Sequence, residues 1–303
     1  MDPLGNLERW AMLVPRLRYS VRAPNCLWHM DGNLKLKDYG FILHGCIDGY
    51  SRRVIYLEVN TNNRASTVLN AFLTGVQRLN TIPERIRADK GRENVEVATW
   101  MLVHQGVGRG SFITGRSVHN QGIERMWRDV NRWNSTFRCI FHHLRTNDYF
   151  DIDDDVDKFC LIFVYLPLLR RSLSQFVRVW NNHKIRTEHY RTPLQLYSEG
   201  NLERMREFPL SERQLEQYGI DWDGPIPIHG GNPDNDGVIL EAPEIPLNDE
   251  DWDTLINQFR ERLYPLEESI ENNLMSPHTN YAVDIYLDIQ SWVKERLETY
   301  SEF

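Results

Sequence analysis

Three acidic residues stand out by their surroundings: Asp31 in W-H-M-D-G, Asp89 in R-A-D-K-G-R and Glu124 in H-N-Q-G-I-E-R. Glu124 heads a stretch in which Ile123, Met126, Trp127, Val130 and Trp133 recur at helical spacing, so that one arc is apolar. Arg125 stands beside it, and Arg128 and Arg132 follow at i+4 and i+8. A carboxylate set among phosphate-binding charges makes chemical sense if it holds a metal ion instead of repelling a nucleic acid, and that requires partner carboxylates. Three carboxylates converging at about 5 Å repel by roughly 3 kcal/mol per pair at an effective dielectric near 20. Divalent cations that prefer oxygen offset this. Two of them, about 3.5–4 Å apart, suit in-line displacement at phosphorus. Singly, each acid has a plainer role: Asp31 and Asp89 as turn-formers at strand ends, Glu124 as an i,i+4 partner of Arg128. The reading rests on their joint occurrence.

The elements that would position them can be read from the pattern. Strand-like runs cover 25–33, 39–48 and 52–60, and D-G-Y-S marks a tight turn between the last two. A helix over 65–79 follows, with Val68, Phe72, Val76 and Leu79 on one face. Next come a short strand at 86–89 ending on Asp89, a helix near 94–105, a short strand near 111–114, and the helix bearing Glu124. The order βββ-α-β-α-β-α predicts an α/β layered domain, a ribonuclease-H-like mixed five-stranded sheet with flanking helices. In such a sheet the first and fourth strands are neighbours, which would bring Asp31 and Asp89 side by side. Apolar residues at 156–182, interrupted by Pro167, predict buried helices, and Pro193 is placed in the first turn of a short last one.

The chain of 303 residues has room for one large domain or two modest ones. Its formal charge of −8 hides an asymmetry: residues 1–150 carry a net +8, 151–200 are neutral, and 201–303 carry −16. A basic half, suited to a polyanion, is joined to an acidic third. The expected organisation is a lead-in over 1–24, a catalytic core over 25–200, and an acidic, mostly helical region over 201–303 with a Gly-, Pro- and acid-rich linker at 221–250. No run approaches the ~18 apolar residues of a membrane helix, so no membrane partner is expected. Four scattered cysteines without a C-x-x-C pair fit a reducing, intracellular compartment.

W-H-M-D-G, C-I-D-G-Y-S-R, R-A-D-K-G-R-E-N and H-N-Q-G-I-E-R together resemble the integrase catalytic core of the DDE recombinases, the superfamily of retroviral and retrotransposon integrases and many transposases. The resemblance spans roughly 20–200 and includes W-N-N-H-K-I-R-T-E; it is strongest to integrase core domain proteins of eukaryotic genomes, derived from mobile elements. Between Asp89 and Glu124 lie 34 residues, close to that family's interval. The resemblance implies a polynucleotidyl transferase using two Mg²⁺ or Mn²⁺ ions, with Asp31 bridging both and Asp89 and Glu124 completing one site each. It further implies DNA as partner, at least a homodimer, and a nuclear location. Leu34 stands where related proteins commonly have His, and Gly122 where they have a basic residue; the lead-in has no counterpart of the family's N-terminal DNA-binding module.

Lys90, Arg92, Asn94, His119, Asn120, Gln121, Arg125, Arg128 and Arg132 are the candidates for DNA contact. Asp48 reads as a structural turn residue, and D-I-D-D-D-V-D at 151–157 as a solvated helix start. A ribonuclease H draws a further carboxylate from its first helix, yet residues 65–80 contain no Asp or Glu. The other function class is a domesticated DNA-binding or protein-interaction module without turnover. Its acidic C-terminal region would compete with DNA for the basic face, recruit a basic protein partner, or only solubilise the chain.

Overall fold

The computed structural model describes residues 21–114, 121–204, 242–271 and 282–301. Three antiparallel strands, β1 (Trp28–Asn33), β2 (Ile42–Asp48) and β3 (Val54–Asn60), form the meander. β4 (Ile86–Ala88) runs parallel to β1, and β5 (Phe112–Thr114) parallel to β4, giving the order β3-β2-β1-β4-β5. The fold is the mixed five-stranded, ribonuclease-H-like sheet that the element order predicts. The helices are α1 (Ala65–Leu79), α2 (Val95–Gln105), α3 (Gln121–Trp133), α4 (Ser135–Thr146), α5 (Asp155–Asn182) and α6 (Pro193–Arg204), then α7 (Asp249–Glu271) and α8 (Val283–Ser301).

Alternation along β1 divides the helices between two faces. Trp28 and Met30, with Cys46 and Tyr56, pack under Val68 and Phe72 of α1 and Val97 and Met101 of α2. The opposite face carries Asp31 and Asn33 and is covered by α3, α4 and α5, whose Ile123, Phe141 and Leu161 share one core with Leu43 and Ile47. The β2–β3 turn is held by Asp48, which is fully buried and accepts hydrogen bonds from the Asn25 N–H (2.7 Å), the Ser51 N–H (2.8 Å) and the Ser51 hydroxyl (2.7 Å). Burial pushes its carboxyl pKa up, against those hydrogen bonds. Asp48→Ala leaves two buried N–H groups without an acceptor, so a loss of about 2–4 kcal/mol is expected from urea unfolding, with Asp48→Asn milder because one acceptor oxygen remains.

Two elements depart from the sequence expectation. Pro167 does not break the apolar stretch: α5 runs through it for 28 residues. The helix forgoes one backbone bond there, and burial of Val164, Tyr165, Leu168 and Leu169 around it outweighs that loss. By length and composition α5 could cross a membrane, unlike any run recognised in the sequence, but over half of that stretch is buried inside the protein. The acidic run 151–157 is also not merely solvated. Asp154 caps α5 by accepting from the Val156 N–H (2.7 Å), while Asp157 is buried and meets Lys294 Nζ at 2.7 Å.

That last pair belongs to a broad seam. The acidic helices α7 and α8 lay Leu255, Phe259, Leu263, Ile285, Tyr286, Ile289 and Val293 into the same apolar cluster as α5. The Tyr286 hydroxyl donates to the Tyr149 carbonyl (2.9 Å), and Arg171 meets Glu267 at 3.4 Å. Acidic surface and apolar underside thus coexist on amphipathic helices, and these helices complete the core on the α5 side.

Candidate active site

Asp31 lies in mid-sheet on β1, directly opposite Gly45 of β2. The missing side chain at Gly45 matters, because a Cβ there would fall 2.9 Å from both Met126 Cε and Trp127 Cη2. The Trp127 ring occupies that space, and its indole N–H donates to Asp31 Oδ2 at 2.9 Å. One turn further along α3, Asn131 Oδ1 accepts from Asn33 Nδ2 at 3.1 Å. Four residues of helix advance about 6 Å and two residues of strand about 6.6 Å, so the two bonds run in step and fix α3 along β1. Glu124, one turn before Trp127, is thereby placed toward Asp31, with its side chain exposed.

Asp89 follows the last residue of β4 and is half-buried. Its Oδ1 accepts from Asn94 Nδ2 at 2.9 Å, and Asn94 is itself buried in a 3₁₀ turn over Arg92–Asn94. Gly91 leads into that turn in extended conformation, and a Cβ there would lie 1.9 Å from Glu93 Oε1. Glycine therefore leaves room for the Glu93 carboxylate to fold back. Burial first, and then the charge of Asp89, raise the Glu93 pKa.

Asp31 is pushed up to about 7, chiefly by burial, then by Asp89, with a smaller contribution from Glu124; the bonds from Trp127 and the Gly32 backbone work in the opposite direction. A buried carboxyl raised further by a neighbouring acid marks a candidate functional site. Among the described residues no three His, Cys, Asp or Glu side chains are gathered tightly enough to hold a metal ion as they stand. The donor set nonetheless fits a hard divalent cation in chemistry: three oxygen carboxylates, one of them raised to about 7 by burial and then by its acidic neighbours.

Of the residues expected to contact DNA, Lys90, Arg92, Arg125, Arg128 and Arg132 are exposed around these acids or along α3. Asn94 instead turns inward to Asp89. His119 and Asn120 lie outside the described residues, and Gln121 is described in its backbone alone. Reasoning from the sequence missed the positioning role of Trp127, Asn33, Asn131 and Gly45. The signal available was Trp127 three residues after Glu124, which helical periodicity assigns wholly to the core.

A meander extended by two parallel strands, with acids at Asp31, Asp89 and Glu124, defines a ribonuclease-H-like core. The sequence model of the integrase core domain matches residues 18–208, and the chain belongs to that family. Among solved structures, the catalytic core domain of HTLV-2 integrase in complex with magnesium, in its trimeric form, is similar at 16% identity and a TM-score of 0.39, over 58% of this chain and 97% of that one. The catalytic core domain of BIV integrase is similar at 17% identity and a TM-score of 0.41, over 60% and 99%. The simian T-cell lymphotropic virus intasome in complex with PP2A regulatory subunit B56 gamma is similar at 18% and 0.43, over 63% and 59%. No curated protein matches the chain.

Proposed function

We propose that this protein is a DDE-type polynucleotidyl transferase that hydrolyses a phosphodiester near a DNA 3′ end and joins the freed 3′-hydroxyl to target DNA. The observation that carries the reading is the placement of the acids: β4, which leads into Asp89, pairs with β1, which carries Asp31, and the Trp127–Asp31 bond ties the helix bearing Glu124 to the same strand. Asp31, Asp89 and Glu124 would hold two Mg²⁺ or Mn²⁺ ions, which supply activation of the attacking oxygen and stabilisation of the leaving one in in-line displacement. The protein's own contribution is orientation. Trp127 holds Asp31 at Oδ2, and Asn94 holds Asp89 at Oδ1. Lys90, Arg92, Arg125, Arg128 and Arg132 hold phosphates on either side, a sequence-independent and salt-sensitive grip. Work on two DNA ends suits at least a homodimer, and the joining of chromosomal DNA suits the nucleus.

The test is strand cleavage and joining on end-labelled duplex with Mg²⁺ or Mn²⁺, run beside a binding measurement on the same DNA. Chelation by EDTA is expected to abolish cleavage and joining, and re-addition of either cation to restore them. Cleavage that survives chelation would exclude the two-metal reading. Binding without turnover under every cation would make the protein the domesticated DNA-binding module instead.

A further inference from the structure

Basic charge does not stop at the candidate site. After Trp133 a single residue, Asn134, separates α3 from α4. This joint is pinned to α5: the Ser172 hydroxyl donates to Asn134 Oδ1 (3.2 Å), and the Trp133 indole N–H donates to the Ser172 hydroxyl (3.0 Å). α4 then buries Phe137, Ile140, Phe141 and Leu144 and exposes Arg138, His142 and Arg145 at four- and three-residue spacing. These three share one outward stripe.

The arginines of this segment differ from several others on the surface. Arg52, Arg191, Arg262 and Arg296 each meet a carboxylate, at 3.1 Å (Glu188), 3.0 Å (Glu199), 2.8 Å (Asp288) and 3.4 Å (Asp251). Arg125, Arg128, Arg132, Arg138 and Arg145 form no ion pair with any described carboxylate. Five guanidinium groups without an ion-pair partner among the described residues, on two consecutive helices of a chain with a formal charge of −8, form a surface for an external polyanion. The choice between protein and nucleic acid follows from what the face lacks. None of the exposed large hydrophobic residues lies on α3 or α4, whereas a protein interface needs an apolar centre.

We propose that the outer face of α4, carrying Arg138, His142 and Arg145, grips the phosphate backbone of duplex DNA beyond the cleavage site and lengthens the footprint of the α3 arginines. The proposal rests on the nucleic-acid reading above and adds a second contact zone to it. Twelve residues of helix span about 18 Å, equal to about five base pairs along a duplex.

The experiment is fluorescence anisotropy of the full chain with blunt duplexes of graded length, each titrated over a range of salt. Wild type is compared with R138Q/R145Q, with R125Q/R128Q, and with K184Q/R186Q, which removes the same charge from another exposed segment. For R138Q/R145Q the log–log salt slope is expected to fall by about 2 and affinity for long duplexes by roughly tenfold, while the shortest duplexes bind as in wild type. The length at which affinity stops rising shortens by about five base pairs. If R138Q/R145Q matches wild type in slope and length dependence while R125Q/R128Q weakens binding, the α4 surface is overturned and the DNA reading stands. An equal loss in K184Q/R186Q overturns it too, in favour of a diffuse charge effect. A wild-type chain that binds no duplex overturns both.

Discussion

Glu124→Gln is expected to lower strand cleavage and joining by roughly a thousandfold or more, about 4 kcal/mol of lost transition-state stabilisation, while leaving the fold and the DNA affinity almost unchanged. The separation follows from where Glu124 sits. Its side chain is exposed on the first turn of α3, it forms no ion pair with a described residue, and the helix is anchored elsewhere, through Ile123, Met126, Trp127 and Val130. A neutral amide keeps the shape of the carboxylate and removes the negative charge a divalent cation requires. Thermal melting should therefore match wild type, and binding should hold or tighten slightly, because one like charge facing the phosphates is gone. Activity that persists unchanged in Glu124→Gln would remove Glu124 from the site and leave Asp31 and Asp89 without their third partner.

The sequence made the strands, the order of the layers and the three acids legible for a common reason. Each depends on short-range signals: alternation in β1 to β3, helical spacing around Glu124, and a glycine one residue after Asp31 and two after Asp89. What escaped depends on partners distant in sequence. Trp127 looks like a core residue because its ring is one, yet its single polar atom meets a carboxylate 96 positions earlier. Asp157 looks like one charge in a solvated run, but its partner Lys294 arrives with α8. Pro167 is a helix breaker by local propensity, and only the surrounding burial explains its place inside α5. Of the −16 of residues 201–303, −6 falls on α7 and −2 on α8, and that charge is silent about the apolar side these helices set against α5.

Gly45→Val should have the largest effect of any substitution that touches no charged group. Even a Cβ at this position lies 2.9 Å from Met126 and Trp127, and both contacts are to side chains already packed in the core. Valine adds two methyl groups to that overlap, so α3 must move away from β2, at a cost of about 1–3 kcal/mol from overpacking. Movement of α3 also breaks the step-matched bonds Trp127–Asp31 and Asn131–Asn33, and it carries Glu124 away from Asp31. A displacement near 1 Å at a reacting centre can lower a rate on the order of a hundredfold, so activity should fall further than the stability loss explains. Trp127→Phe separates the two causes. Phenylalanine lacks the indole N–H, which releases Asp31 Oδ2, and it withdraws Cζ2 and Cη2 from Gly45, so it removes the bond without forcing α3 away from β2. Cleavage in Trp127→Phe should drop roughly ten- to a hundredfold, with only a modest fall in melting temperature from the space left unfilled. If Gly45→Val were as active per folded molecule as wild type, the register of α3 on β1 could not be what sets Glu124 in place; if Trp127→Phe were fully active, the indole bond could not be what orients Asp31.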